Sequence, residues 1–200
     1  MEESPHRPVV GRGPKVRAAV LAATIAELAE KGYAELAVEG VARRAGVHKT
    51  TVYRRWKDRQ GLVVDALSER VADEVPIPDT GSVQGDVEVL ARSLADTLGG
   101  PTGRVIAAVL GTDAARLPEV AGIRRRVLGD RLRRAEPVVL RAVARGELPE
   151  GTGPHEVVKA FAAPLYFRLL VSGEPVDRAA ADRAARIALA AARAGELRTG

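Results

Sequence analysis

Lys49, Thr50, Thr51, Tyr53, Arg54 and Arg55 place cations, hydroxyls and a phenol within one short run, a mixture poorly suited to packing and well suited to nucleic acid. Arg and Lys neutralise phosphates or donate to guanine in the major groove, Thr contacts a phosphate or the thymine methyl, and a Tyr hydroxyl reaches a phosphate oxygen. Arg43, His48 and Lys57 flank the run and extend the predicted DNA-binding set. Between residues 41 and 60, seven Lys or Arg (43, 44, 49, 54, 55, 57, 59) face one acid, Asp58, so this tenth of the chain holds +6 while the remainder of the net +5 sums to −1. No other chemistry has a positive case. The histidines, His6, His48 and His155, are too scattered to share a metal, and there is no Cys. Neither a GxSxG elbow nor a phosphate-cradling glycine loop is present, and Gly11-Arg12-Gly13 follows no strand. No catalytic residue, metal or cofactor is expected, and the chain is not expected to be an enzyme.

The elements that would position these residues can be read around them. Val41, Ala42 and Ala45 fall on one side of a short helix, Ala45-Gly46-Val47 forms a tight turn in which Gly46 can take positive φ, and a second helix begins near Lys49. Leu21, Ile25 and Leu28 mark a support helix from about Lys15 to Lys31, stopped by Gly32, which would pack behind Val38, Val41 and Val52. Trp56 is expected to anchor this small core with its indole N–H free for a phosphate or a carbonyl. Asp58 is the predicted N-cap of a linking helix from Arg59 to about Glu74, and Pro76 and Pro78 end it.

Composition bounds the rest. Two hundred residues, 46% of them hydrophobic, can bury a sizeable core, and the pI near 10 fits a nucleic-acid partner. The N-terminus has acids and prolines where a signal would have a basic and then an apolar run, and no stretch approaches a membrane span, so a soluble cytoplasmic protein with no membrane partner is expected.

The run from Lys15 to about Leu67, with AEKGYAELAVEGVARRAGVHKTTVYRRWKDRQGLVVDAL at its centre, resembles the TetR family of bacterial transcriptional regulators. Weaker similarity continues through ARGELPEG (144–151) and YFRLLVSGEPVD (166–177) to a TetR-type C-terminal domain. The resemblance implies an all-α fold of about nine helices: a flexible tail (1–13), a three-helix DNA-binding module (14–58), the linking helix (59–75), and a larger ligand-binding and dimerisation domain (82–195). It implies that the second helix of the turn lies in the major groove of an operator. Ala37 and His48 stand where the family usually has a capping Ser or Thr, each weaker cap costing roughly 1 kcal/mol. The tail is expected to be solvated, or to act as an arm in which Arg12 and Lys15 enter the minor groove.

Beyond the prolines the pattern is helical throughout. Val83, Val87, Leu90, Leu94 and Leu98 keep a 3.6-residue period up to Gly99-Gly100, a short helix follows around residues 105–110, and a long one spans Glu119 to about Arg145 with Pro137 inside it. The arginines of that long helix are expected on a solvated face rather than a second nucleic-acid surface. Gly153-Pro154 opens another helix, and an Ala-rich one runs from Asp177 to about Arg193. The resemblance implies that these last two pair across a twofold axis, with Leu165, Leu169, Ala184, Ile187, Ala188 and Ala191 at the homodimer interface. Two functions follow: a repressor released from its operator by a small apolar ligand, or a DNA-anchored adaptor with no such switch. With only Phe161, Tyr166 and Phe167 as C-terminal aromatics and no evident buried polar group, the effector is expected to be apolar.

Overall fold

The computed structural model describes residues 12–110 and 117–198. Among these, the helices are α1 (Arg12–Lys31), α2 (Val38–Arg44), α3 (Lys49–Arg55), α4 (Arg59–Glu74), α5 (Val83–Gly99), α6 (Pro101–Leu110), α7 (Pro118–Ala144), α8 (Pro154–Phe167) and α9 (Arg178–Arg193), with a π-helical turn at Arg168–Ser172 prolonging α8. The fold is all-α, and a single antiparallel bridge, Thr152 with Arg198, is the one β-type pairing among the described residues.

The helix ends follow from their sequences. Asp58 accepts from the Gly61 amide at 2.6 Å, Ser82 from Gly85 at 3.1 Å, and Asp177 from Ala180 at 2.8 Å, so α4, α5 and α9 each start on a side-chain cap. Ala37 and His48 hold the extended backbone of an N-cap with no side-chain hydrogen bond, as expected. Gly46 takes φ +67°, and the amides of Gly46 and Val47 return to the carbonyls of Arg43 and Ala42 at 3.2 and 3.0 Å, which closes α2 and turns the chain into α3.

Two apolar cores form, and α4 runs through both. Val20 and Leu28 of α1, Val41 of α2, Val52 of α3 and Leu62 of α4 make the first, joined by Val105 and Val109 of α6 and Val120 and Ile123 of α7. The second gathers α5, the C-terminal half of α7, α8 and α9, and takes in Val71 and Val75 from the end of α4. Residues 76–81 do interrupt the helices, but the packing crosses that break, since α6 and α7 supply part of the N-terminal core. The break is also pinned. Asp86, fully buried, accepts from the Thr80 amide at 2.7 Å and its hydroxyl at 2.9 Å, while Arg141 donates to the Pro78 carbonyl at 2.5 Å and lies 3.7 Å from the Asp86 carboxylate.

Three expectations are corrected here. The Ala face of α9 is not spare: Ala181, Ala184, Ala185 and Ala188 are buried within the chain's own second core, where small side chains let α9 lie close to α5 and α8. Ala184 and Ala188, with Leu165 of α8, are therefore core residues and not interface residues. The support helix also starts at Arg12, so exposed Lys15 sits on its first turn and not on an extended arm. Residues 1–11 and the Arg12 side chain, on which the rest of that expectation falls, lie outside the described residues. Finally, the Trp56 indole N–H is not free: it donates to Asp65 at 2.9 Å, tying the end of α3 to α4.

Candidate nucleic-acid interface and cavity

The predicted DNA-binding residues lie together on one surface. Lys49, Thr50, Tyr53, Arg54 and Arg55 are exposed on α3 with Thr51 half-buried beside them, while Val52 alone turns into the core. Tyr53, at 45% exposure, is among the most exposed large apolar side chains of the described residues, an orientation that burial would not produce. Arg43 at the end of α2, His48 in the turn and Lys57 beyond α3 are exposed around it.

The local excess of positive charge is not all available to a partner. Arg44 reaches back to α1, pairing with Glu30 at 2.5 Å and with the buried Glu27 at 3.2 Å, and so holds the first helix of the motif on its support. Gly40 faces that site: a Cβ there would stand 3.0 Å from the Glu27 carboxylate, so the acid would have to shift by a few tenths of an ångström to admit one. Arg59 lies over the Tyr33 ring at 4.3 Å and donates to the carbonyls of Tyr33, Ala34 and Leu36 at 3.3–3.4 Å, bracing the α1–α2 loop. Arg43, Lys49, Arg54, Arg55 and Lys57 make no ion pair among the described residues, and these are the cations that a phosphate backbone would meet.

A cavity of about 250 Å³ lies between α4 and α8. Leu67 and Val71 of α4 form one wall, Leu94 and Ile106 of α5 and α6 another, and Ile123 and Val127 of α7 with Phe161 of α8 complete it. Three basic groups also line it: Arg124, Arg131 and Lys159. Arg131 is the one that matters electrostatically, since burial pushes its guanidinium pKa below the ordinary arginine value. Tyr166 lines the same space, and burial raises its phenol pKa. The α7 arginines are thus solvated in the main, as expected of Arg124, Arg125 and Arg126, but Arg131 and Arg141 turn inward. The signal was present: steps of four from Ile123 through Val127 arrive at Arg131 and then at the buried Ala135, so Arg131 occupies the apolar stripe of its helix.

The cavity is mechanically connected to the DNA-binding surface. Its α4 wall is the helix that the first core grips, and the N-terminus of α7 docks on the start of α4, where Gln60 donates to the Glu119 carbonyl at 2.9 Å and Arg59 lies 3.6 Å from the Glu119 carboxylate. Among the expected interface residues, Ile187 is 62% exposed, while Leu169 and Ala191 are half-buried. Phe167 and Val171, outside the expected interface set, are 57% and 69% exposed at the end of α8 and in its π-helical extension. Among the described residues there is no group of His, Cys, Asp or Glu that could hold a metal ion, and no helix is long and apolar enough to cross a membrane.

Comparison with known proteins agrees with this architecture. Residues 20–66 match the family described as bacterial regulatory proteins, tetR family, and residues 77–188 match the tetracyclin repressor-like C-terminal domain. The HTH-type transcriptional regulator AqdR of Rhodococcus erythropolis is 41% identical over 149 residues, 74% of this chain and 70% of that protein. The crystal structure of the TetR family transcription regulator SCO0332 superposes with a TM-score of 0.73 at 31% identity, covering 88% of this chain and 97% of that one. A fold-level neighbour, FadR from Bacillus subtilis in complex with stearoyl-CoA, has a TM-score of 0.64 at 15% identity, covering 86% of this chain and 97% of that one. With an exposed recognition helix, a helical C-terminal half and matches to both family domains, this chain is a transcriptional regulator with a helix-turn-helix DNA-binding domain and belongs to the TetR family.

Proposed function

We propose that the protein is a homodimeric repressor that reads a palindromic operator through α3 and leaves it when a small molecule occupies the cavity between α4 and α8. The observation that carries this reading is the shared wall: Leu67 and Val71 face the cavity from the helix whose preceding turns belong to the DNA-binding core. A molecule that binds one setting of α4 better than another shifts the spacing of the two recognition helices of a dimer, and two half-sites one helical turn apart tolerate one spacing only. The ligand seen in the FadR complex supports the use of this fold for effectors, and the cavity favours a switch over a plain adaptor. Arg43, His48, Lys49, Thr50, Thr51, Tyr53, Arg54, Arg55 and Lys57 are the proposed contacts. Exposed Ile187, Phe167 and Val171 on the paired α8 and α9 are the proposed dimer surface, flanked by Leu169 and Ala191. The site of action is the cytoplasm, where the operator is.

The test is selection of bound DNA from a random pool followed by titration on the recovered site. The expected product is a twofold-symmetric sequence. With about six to ten phosphate contacts, its affinity falls by roughly three decades or more between 50 and 200 mM salt. Recovery of no preferred sequence, or a flat salt response, rejects the reading.

A further inference from the structure

We propose that the molecule taken by the cavity between α4 and α8 is an apolar anion, whose acidic oxygen group is held by the guanidinium of Arg131 and the hydroxyl of Tyr166. This rests on the reading of the cavity as the effector site and specifies the chemistry it selects. Arg131 lines a largely apolar space, and one of its N–H groups donates to the Val75 carbonyl at 2.8 Å. No carboxylate pairs with it among the described residues: Asp130, the acid beside it in sequence, is taken by Arg133 and Arg134 at 3.4 and 2.7 Å. A guanidinium carries five donors in a fixed fork, so after the Val75 bond it retains the pair of N–H groups that a carboxylate accepts in bidentate fashion. Tyr166 likewise has no hydrogen-bond partner among the described residues and adds an O–H donor to the same wall. A half-buried guanidinium with no carboxylate partner, set in a mostly apolar wall, costs desolvation that an anion bound beside it would offset. Arg124, which also lines the space and makes no ion pair among the described residues, adds positive potential there, whereas Lys159 is paired with Glu156 at 2.7 Å.

The position of Arg131 also states what binding does. Val75 is the residue at which α4 ends, so the guanidinium that would hold the ligand already holds the C-terminus of the helix connected to the DNA-binding core. Were Arg131 only a cap for α4, its removal would change stability and leave ligand choice alone.

The experiment is calorimetric titration of the full chain with two matched pairs, octanoate against 1-octanol and 1-naphthoate against 1-naphthalenemethanol, in parallel with operator release by each compound. In at least one pair the acid is expected to bind about tenfold or more tightly than the alcohol, the value of a charge-assisted hydrogen bond inside a protein, and to release operator at correspondingly lower concentration. Arg131→Met should bring acid and alcohol level while leaving alcohol affinity within about threefold, and Arg131→Lys should keep a preference for the acid. Tyr166→Phe should reduce the preference by about threefold or more, and it keeps the question answerable if Arg131→Met fails to fold. Equal binding of acid and alcohol in both pairs, or an acid preference that survives in Arg131→Met, overturns the proposal while leaving the cavity as an effector site for neutral molecules. Failure of every compound to bind or release operator overturns both.

Discussion

Trp56 and Asp65 set the orientation of the recognition helix with a single bond. The ring is buried at the end of α3 and its N–H meets the α4 carboxylate at 2.9 Å, so two helices whose backbones share few groups are fixed at a point next to the DNA surface. Trp56→Phe keeps most of the apolar burial and removes that donor; it should lower unfolding free energy by about 1–3 kcal/mol, read by denaturant titration, whereas Asp65→Asn, which keeps an acceptor, should lose less. On the exposed side of the same helix the residues divide by role. Lys57, off the end of α3, should contribute to all sequences alike, so Lys57→Ala weakens binding uniformly. Lys49 and Thr50 stand on its first turn, the end that enters the groove in this motif, and replacing either should change which half-site is preferred. A binding panel of single-base operator variants distinguishes the two patterns. If both substitutions act uniformly, the reading face has been misplaced on α3.

At the level of elements, the start of α2 and the junction of α5 with α6 are opposite cases. Ala37 has the extended backbone of an N-cap, is exposed, and supplies no side-chain acceptor to the free amides of α2. Ala37→Thr should therefore raise stability by up to about 1 kcal/mol, seen as a higher melting temperature of the full chain. Gly103 allows no such freedom. A Cβ on it would fall 1.8 Å from the carbonyl oxygen of Leu98, a backbone atom that cannot swing aside, so Gly103→Ala must push α6 off α5. The expected cost is about 1–3 kcal/mol by the same denaturation, together with a changed cavity, because Ile106 and Val109 of α6 line it. A variant as stable as the parent would mean that α5 and α6 are not joined as closely as this.

For the whole molecule, the surface of α8 and α9 separates two kinds of substitution. Ala184→Arg places a charge in the second core and should prevent folding, since the site is closed by α9's own neighbours. Ile187→Arg and Val171→Arg change exposed positions and should leave the monomer folded while abolishing the dimer in sedimentation. The folded monomer would then grip one half-site at a time, losing a factor of roughly 100 to 10,000 in affinity for the palindrome. A dimer that survives both substitutions places the interface elsewhere.

Much of this was legible in the sequence, for reasons of locality. The cap at Asp58, the positive-φ stops at Gly32 and Gly46, the 3.6-residue period of α5 and the cation-and-hydroxyl run on α3 each depend on residues within a turn or two of one another. Spacing along the chain is enough to find such features. What it could not supply was the neighbour from a distant segment. Whether the alanines of α9 meet another copy or their own chain depends on where α5 and α8 lie, and they lie against α9. The two arginines of the motif that are absorbed by α1 and by the α1–α2 loop look in sequence like those that face outward. Arg131 is the clearest instance: its place on the apolar stripe of α7 is written in the spacing from Ile123, but only the packing of α4, α7 and α8 turns that stripe towards a cavity, and so leaves one arginine among many half-buried with no carboxylate beside it.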